Sequence, residues 1–437
     1  MSSPLSEAIA KIRFLQRQAL SLLLYQEVMG DPIGQAFMNL LDYMLQADSH
    51  QTLQAYSYWF RVQAEQSQSW QNYLITQILR ADNPFSRQAQ QCDLTALNPS
   101  LIAATRHDLE ILQTLYKCQG TKIAQWVQAI AQIPQLPIVW EDETIVVEKI
   151  EELPLRNQLS QSENWGDAIE AIAAHYRKYG TGKFAQSQAF RWRSGQLMAI
   201  ANPDPIHLNQ LVGYEPQRET LLKNTEFLLA GYSALNVLLY GSRGSGKSSL
   251  VKALLHQYSD RGLRLIEVTK SELRDLPQVI EQLRGVPQKF IIFVDDLSFE
   301  EDDDAFKALK VVLEGNMTAR PENVVVYATS NRRHLVREFF DERPRPQDQN
   351  EVQAWDTVQE KLSFADRFGL TLTFEPADQE TYLSIVKHLA TQAGITIDPE
   401  DLDYRARQWA TRHNGRSGRT ARQFIDFLAA EIALADQ

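Results

Sequence analysis

The chain has 437 residues, of which 44% are hydrophobic and 23% are charged, a composition typical of a soluble globular protein with two or three domains. The formal net charge of −11 at pH 7 argues against a protein that coats nucleic acid non-specifically, although it leaves room for a local basic patch. The two cysteines, Cys92 and Cys118, lie in no Cys/His spacing that would hold zinc.

The chain shows no targeting or membrane signal. Its first residues lack a basic region followed by an apolar block and a small-residue cleavage site. No apolar run approaches the ~20 residues that a membrane helix needs. We therefore expect a cytoplasmic protein that does not insert into a membrane.

The first part of the chain is predicted to be mainly helical. Between residues 5 and 135, apolar residues recur at intervals of three and four, which is typical of helices packed in an antiparallel layer. Residues 135–159 carry prolines, acidic residues and a short β-branched run, which predict a loop or a strand pair. A further helix is expected over residues 165–178. The prolines, Asn and Asp of residues 201–215 place a domain boundary near residue 200.

Beyond that boundary, strands and helices alternate. Nearly continuous apolar strands separated by helices indicate a parallel sheet covered on both faces. The predicted strands are residues 234–240, 264–268, 289–296, 323–330 and 370–374, and the predicted helices are residues 248–260, 271–285 and 304–315. After Pro376 the pattern is helical to the end. We expect three parts: a helical region over 1–200, an α/β core over 201–376, and a helical lid over 377–437.

A phosphate-binding loop is predicted between the first strand of this core and the helix that follows it. Gly241, Gly246, Lys247 and Ser248 fit the pattern G-x-x-x-x-G-K-[ST] with a buried strand before it and an amphipathic helix after it. The glycines let backbone N–H groups turn towards phosphates, Lys247 reaches the β and γ phosphates, and Ser248 supplies a hydroxyl to Mg²⁺. The expected cofactor contacts in this loop are Gly241, Ser242, Arg243, Gly244, Ser245, Gly246, Lys247, Ser248 and Ser249.

Two carboxylates end a later strand of the same sheet. The apolar run from Phe290 leads to Asp295 and Asp296. Ligands of open α/β sheets bind beyond the carboxyl ends of the strands, so these acids are expected to face the phosphate loop. Asp295 would hold Mg²⁺ through water, and Asp296 would orient or deprotonate the attacking water.

These motifs together resemble the AAA+ ATPases, and more closely a bacterial AAA+ family whose physiological role has not been assigned. The resemblance covers residues 203–435. It implies that "LNQLVGYE" encloses the adenine through Leu211, Val212 and Gly213. It also implies a sensor-1 role for Asn331 in "VVVYATSNRRHL", at the γ-phosphate or the attacking water.

The same resemblance assigns two arginines. "LSFADRFGL" resembles the segment with an arginine finger, which places Arg367 at a subunit boundary. "GRSGRTARQF" resembles the start of a sensor-2 helix, where Arg419 is the best candidate to reach the γ-phosphate and Arg416 and Arg422 remain alternatives. Arg367 could instead form a surface ion pair, and Arg419 a plain surface contact. Asn331 could simply cap the segment after its strand.

The second acid departs from the usual pattern of the resembling family, which is Asp followed by Glu. Asp296 is one methylene shorter than Glu, so its reach to the attacking water is reduced and hydrolysis would be slow. Glu300, four residues on, would assist if its loop folds back.

The resemblance implies an ATPase that binds ATP and Mg²⁺ as a homo-oligomer. ATP hydrolysis would remodel or load a protein or nucleic-acid partner bound by the N-terminal helical region. The alternative is an assembly switch or scaffold in which ATP binding drives assembly and hydrolysis is slow or partner-stimulated. A kinase is a more remote alternative, because no basic pocket for an acceptor substrate is visible.

Overall fold

In the computed structural model, the described residues are 4–141, 153–298, 304–314, 321–331, 367–413 and 415–435. The chain forms two compact units, Met1–Gln186 and Ser187–Gln437. The division lies earlier than the boundary expected near residue 200, because the residues between form strands of the second unit's sheet. None of the described helices is both long enough and apolar enough to cross a membrane.

The first unit is helical, as expected. Among its described residues the helices are α1 (Pro4–Leu20), α2 (Pro32–Gln46), α3 (Ser49–Glu65), α4 (Trp70–Leu79), α5 (Pro84–Ala89), α6 (Pro99–Lys117), α7 (Gly120–Ala131), α8 (Leu153–Gln161), α9 (Ile169–Tyr179) and α10 (Gly182–Gln186). Short 3₁₀ turns cover Gln26–Met29, Leu94–Ala96 and Trp165–Ala168. The prediction of a loop or strand pair was wrong over residues 153–159, which form α8, while residues 142–152 lie outside the described part.

Local capping explains where several of these helices begin. Asp48 accepts the N–H of Gln51, and Ser69 accepts the N–H of Asn72, so each side chain satisfies a free donor of a first turn. Asn83 forms a reciprocal capping box with Ser86.

Large aromatic side chains fill the core of the first unit. The Phe37 and Trp70 rings stack at 4.1 Å between centroids, and the Trp59 ring meets Trp70 edge-on at 6.2 Å. Asp108 is also fully buried, and its carboxylate accepts the backbone N–H groups of Leu23, Leu24 and Tyr25. The buried charge is thus satisfied by three donors in the turn after α1.

The second unit begins with a hairpin that the sequence pattern did not predict. Strands β1 (Ala189–Arg193) and β2 (Gln196–Ala199) pair antiparallel, and Ser194 and Gly195 between them both have positive φ, as a tight two-residue hairpin turn requires. Phe190 and Trp192 are fully buried, whereas Arg191 and Arg193 are exposed. One-sided burial leaves only a short alternation in the sequence, which is a weak strand signal.

The remaining elements follow the predicted alternation. The strands are β3 (Val237–Gly241), β4 (Leu263–Glu267), β5 (Lys289–Val294), β6 (Val324–Ser330) and β7 (Leu370–Phe374). The helices are α11 (Glu215–Leu229), α12 (Lys247–Tyr258), α13 (Leu276–Leu283), α14 (Asp304–Glu314), α15 (Gln379–Gln392), α16 (Pro399–Arg412) and α17 (Gly418–Ala435). 3₁₀ turns cover Leu208–Gln210, Ser259–Arg261 and Lys270–Asp275.

Strand order decides which loops meet. The strand order in the sheet is β2-β1-β4-β5-β6-β3-β7. Apart from the antiparallel β1–β2 pair, every pair of neighbouring strands is parallel. β3 lies between β6 and β7, and β5 lies on the far side of β6. The carboxyl ends of β3, β5 and β6 therefore open onto one edge of the sheet, where ligands of such sheets bind.

The last three helices form a lid around their own apolar cluster. Tyr382 and Val386 of α15, Ala406 of α16, and Phe424 and Leu428 of α17 are buried together in it. These helices bear out the expected helical segment after Pro376. The expected fold class, an α/β core with a C-terminal helical lid preceded by a mainly helical region, is confirmed.

Candidate functional site

The loop after β3 is shaped by glycines in conformations that other residues rarely adopt. Gly241, Gly244 and Gly246 have φ values of 137°, 76° and 88°. A Cβ atom on Gly241 would lie 1.9 Å from the carbonyl oxygen of Phe374, so no side chain fits there. Gly246 takes the left-handed conformation at the N-cap of α12, which turns the chain directly into that helix. The loop thus brings its backbone onto the N-terminus of a helix, a site that favours anions.

Lys247 begins α12 and lies folded into this loop. Its side chain is buried, and Nζ donates hydrogen bonds to the carbonyl oxygens of Gly241 at 3.0 Å and Ser242 at 2.6 Å. Burial lowers the pKa of Lys247 below its ordinary value of 10.5, since it disfavours the charged ammonium. The Asp295 and Asp296 carboxylates oppose this by raising the pKa. Lys247 therefore places a poorly hydrated positive charge beside the backbone of the loop, where it suits a phosphate group.

Ser248 meets the first of the two predicted acids. Its Oγ donates to Asp295 Oδ1 at 2.6 Å. The same carboxylate oxygen accepts a hydrogen bond from the Thr329 hydroxyl at the end of β6. Three elements, α12, β5 and β6, thus converge on one carboxylate.

Asp296 is paired with the predicted sensor residue. Asn331 Nδ2 donates to Asp296 Oδ1 at 2.6 Å, and Asn331 Oδ1 lies 3.4 Å from Lys247 Nζ. Asp296 has a φ of 50°, a left-handed conformation that is uncommon for residues with a side chain. The ends of β5 and β6 therefore present a linked pair of polar side chains beside the loop.

The segment before α11 forms an apolar wall of the site. Leu211 packs against the apolar core of the sheet, and Val212 packs against the apolar cluster of the lid helices. Gly213 has a φ of 84°, and its N–H donates to Glu215 Oε1 at 2.9 Å. The Tyr214 ring lies 5.0 Å from the Phe374 ring. An apolar wall beside a phosphate loop suits a planar base.

The first turn of α17 touches the phosphate loop. The N–H of Arg419 donates to the carbonyl oxygen of Gly244 at 3.2 Å. Arg419 and Arg422 both line the space above the loop. Arg416 instead donates from Nη2 to Gln379 Oε1 at 3.1 Å and is absent from that lining.

These groups surround one cavity of about 770 Å³, which is within the size range of small-ligand sites. The predicted residues that line it are Leu211, Val212, Gly213, Arg243, Gly244, Ser245, Gly246, Lys247, Ser248, Ser249, Asp295, Asp296, Asn331 and Arg419. Gly241 and Ser242 shape the loop behind this lining. Arg367 is half-buried and does not line the cavity, and Glu300 lies outside the described residues.

Several lining residues were not predicted. Pro205, Ile206, Ile385 and Leu389 extend the apolar wall, and Arg218 and Thr329 add polar groups. Arg218 Nη1 donates to the carbonyl oxygen of Leu211 at 2.9 Å, so it supports the segment that carries the wall. Thr329 lies on β6 two residues before Asn331, which directly follows that strand, and this short distance from the predicted sensor residue is the signal that could have identified it.

The donors beside the loop suit a hard cation bound together with phosphate. Ser248 offers a hydroxyl and Asp295 a carboxylate, the oxygen donors that Mg²⁺ takes when it shares a site with phosphates and water. Within the described part of the chain, no group of three His, Cys, Asp or Glu residues is arranged to hold a metal ion on its own. The arrangement therefore fits Mg²⁺ carried with a nucleotide.

A family model described as "Protein of unknown function (DUF815)" matches residues 185–432, more than half of the chain. A comparison with functionally curated proteins gives no match.

Among solved structures, a single-substitution variant of Thermotoga maritima RuvB is similar at 16% identity, over 51% of this chain and 72% of that chain, with a TM-score of 0.33. A second, described as the Thermotoga maritima RuvB Holliday junction branch migration motor, is similar at 15% identity over the same shares, with a TM-score of 0.31. At this level of similarity we infer nothing about the substrate or the partner of the present chain.

Proposed function

We propose that this chain, which belongs to the family described as "Protein of unknown function (DUF815)" and has the AAA+ fold expected from its sequence, binds ATP with Mg²⁺ and hydrolyses it. One observation carries the proposal. A single cavity brings together the buried ammonium of Lys247, the hydrogen-bonded Ser248 and Asp295, and the paired Asp296 and Asn331. These residues come from the start of α12 and from the ends of β5 and β6, and they supply the groups that phosphoryl transfer needs.

The cavity has a side for each part of the nucleotide. The base would lie against the wall formed by Leu211, Val212 and Ile385, and the phosphates would lie on the loop from Gly241 to Lys247. Lys247 Nζ now bonds to loop carbonyl oxygens, and it would exchange them for phosphate oxygens. Ser248 and Asp295 would hold the Mg²⁺, whose charge neutralises that building up on the phosphates.

Hydrolysis in this site depends on position and charge. Asp296 would orient or deprotonate the attacking water, and Asn331 would orient Asp296 and contact the γ-phosphate. Arg419 would meet the γ-phosphate from the lid. Positioning and electrostatic stabilisation supply most of the catalysis in phosphoryl transfer, so these contacts constitute the mechanism.

The test is to measure nucleotide binding and steady-state ATP turnover of the pure protein, with and without Mg²⁺. Lys247→Ala should abolish tight nucleotide binding, and Asp295→Ala should abolish the effect of Mg²⁺. Lys252→Ala is the matched control, since Lys252 lies on the same helix but points to Asp204 at 3.4 Å and does not line the cavity. Turnover that survives both Lys247→Ala and Asp295→Ala would assign the activity to another site or to a contaminant.

A second candidate function is an assembly switch with slow hydrolysis. It is favoured by Asp296, whose short carboxylate is bonded to Asn331 instead of standing free for water. In that case ATP would change the mass of the assembled protein while turnover stays near background. Measuring mass and turnover on the same sample separates the two functions.

The proposal also covers the assembly and the partner. We expect a homo-oligomer in which Arg367 reaches a neighbour's ATP, because its side chain does not line the cavity of its own chain. We expect the helical N-terminal region to bind the protein or nucleic-acid partner, and residues 377–437 to act as the lid. The partner would be identified by what co-purifies with an Asp296→Asn variant and is released by ADP.

A further inference from the structure

Thr329 lies where β6 ends, between the two acids and the sensor residue. Its side chain is 2% exposed, yet it lines the cavity. The hydroxyl donates to Asp295 Oδ1 and accepts the backbone N–H of Asp296 at 2.9 Å. One buried hydroxyl therefore bridges both acids from the neighbouring strand.

The Asp295 carboxylate is held by one of its oxygens. Oδ1 accepts from Ser248 Oγ at 2.6 Å, from the N–H of Asp296 at 3.1 Å and from Thr329. Within the described residues, no hydrogen bond reaches Oδ2. Three donors on one oxygen restrict how the carboxylate can rotate, and they leave the other oxygen available to a cation.

The same hydroxyl restrains the backbone that follows. Asp296 has a φ of 50°, which is unfavourable for a residue with a Cβ unless its surroundings hold it. Its N–H is bonded to Thr329 and Asp295, and its carboxylate is bonded to Asn331. Thr329 thus supports the conformation that aims Asp296 at Asn331.

We infer that Thr329 is a positioning residue of the nucleotide–magnesium site, which orients the Asp295 carboxylate for Mg²⁺ and the Asp296 carboxylate for water. The inference rests on the function proposed above. A methyl group in place of the hydroxyl removes one donor from Asp295 and the acceptor from Asp296. Mg²⁺ binding is therefore affected more than binding of the nucleotide alone.

The chain offers a matched control in the next residue. Ser330 is 1% exposed, and its hydroxyl donates to the carbonyl oxygen of Leu297 at 2.8 Å. It is absent from the cavity lining, which places it outside the site. Ser330→Ala removes a buried hydroxyl from the same strand end without touching either acid.

The experiment measures the affinity of a fluorescent ATP analogue for the full chain, once with Mg²⁺ and once with EDTA. In Thr329→Val the gain in affinity from Mg²⁺ should fall about tenfold, as expected when a charge-assisted hydrogen bond is lost. The affinity in EDTA should stay at the wild-type value, which also shows that the variant is folded. Thr329→Ser and Ser330→Ala should keep the wild-type gain, and Thr329→Ala replaces Thr329→Val if the latter does not fold.

Two results would overturn the inference while leaving the proposed function intact. One is a wild-type Mg²⁺ gain in Thr329→Val, and the other is an equal loss of gain in Ser330→Ala, which would indicate a structural effect only. If the wild-type protein itself binds the analogue no tighter with Mg²⁺ than with EDTA, the proposed magnesium site fails and the inference falls with it. Lys247→Ala, which should lose binding in both conditions, separates these cases.

Discussion

The backbone N–H of Arg419 donates a 3.2 Å hydrogen bond to the carbonyl oxygen of Gly244, which joins the first turn of α17 to the phosphate loop. The approach is close because Gly244 has no side chain. A Cβ atom there would lie 2.8 Å from Ser417 Oγ and 3.2 Å from Arg419 Cβ. The lid and the loop are therefore in backbone contact, so a displacement of one is expected to displace the other.

This contact predicts that Gly244→Ala moves the lid from the loop and weakens nucleotide binding about tenfold or more. Part of any loss of stability comes from the backbone conformation alone. The φ of Gly244 is 76°, and an alanine in this left-handed conformation costs about 1–2 kcal/mol of folding free energy. Gly262→Ala isolates that part, because Gly262 has a φ of 87° with nothing within 4 Å of its would-be Cβ. Both variants should lose stability in thermal unfolding, and only Gly244→Ala should lose affinity. Equal affinities would show that the lid contact is unimportant.

Nucleotide affinity should fall as the pH rises towards 10.5, the ordinary pKa of lysine. Burial lowers the pKa of Lys247 in the free protein, whereas phosphates beside the ammonium would raise it. The bound form then holds a proton that the free form has lost, so binding takes up a proton and weakens as protons become scarce. Titrations at a series of pH values measure this.

Lys247→Arg is the informative variant for this pH dependence. An arginine stays charged throughout the range, so the variant should bind less well but show a flat pH profile. Lys252→Arg, on the same helix but paired with Asp204 and outside the cavity lining, should keep the wild-type profile. A sloping profile in Lys247→Arg would assign the proton to another group.

Asp296→Asn should keep nucleotide affinity and lower ATP turnover by about 100-fold or more, the usual contribution of a general base. The amide keeps the size of the side chain but cannot accept a proton from water. Asp426→Asn is the control, since Asp426 is exposed on α17 and does not line the cavity. Unchanged turnover in Asp296→Asn would remove the proposed role of this residue.

An arginine finger at Arg367 predicts complementation between two inactive variants. Arg367→Ala should bind ATP but turn it over slowly, and Lys247→Ala should not bind ATP. In a mixed assembly, Lys247→Ala subunits would supply Arg367 to the ATP of Arg367→Ala subunits, so turnover should reappear on mixing. Wild-type turnover by Arg367→Ala alone would contradict the assignment.

Stability of the first unit should depend on Asp108. Its buried carboxylate accepts three backbone N–H groups, so Asp108→Asn, which replaces one acceptor oxygen by a donor, should lower the free energy of unfolding by about 1–3 kcal/mol. Asp93→Asn, with a side chain that is 82% exposed, should change it by less than about 1 kcal/mol. Urea unfolding followed by circular dichroism measures both, with separate transitions fitted for the two units. Equal losses of unfolding free energy in the two variants would show that the hydrogen bonds to the buried Asp108 carboxylate do not stabilise the unit.

The fold was predictable where burial leaves a strong pattern. Strands β5 and β6 are buried along nearly their whole length, and each appears in the sequence as a continuous apolar run. The β1–β2 hairpin was missed, because its strands are short, β2 has no buried residue, and Arg191 and Arg193 of β1 are exposed. The α8 helix was missed because acidic residues precede it in the sequence and Pro154 lies in its first turn, where a proline is tolerated.

The site was predictable where its residues are close in sequence. The phosphate loop and the Asp295–Asp296 pair follow from short motifs, since their chemistry depends on spacing within one turn. The sequence could not decide which of three arginines enters the site, because Arg416, Arg419 and Arg422 all lie near the start of one helix. Only the packing of the lid places Arg419 and Arg422 in the cavity and Arg416 against Gln379.

The sequence by itself determined the kind of site: a phosphate loop on one strand and a pair of carboxylates on another, both at the carboxyl edge of a parallel sheet. It could do so because glycine, lysine and carboxylate positions are set by local backbone geometry. The tertiary structure alone decided that the Thr329 hydroxyl bridges both acids and that the Gly244 carbonyl receives the lid. These contacts join residues far apart in the chain, and strand order and helix packing bring them within hydrogen-bonding distance.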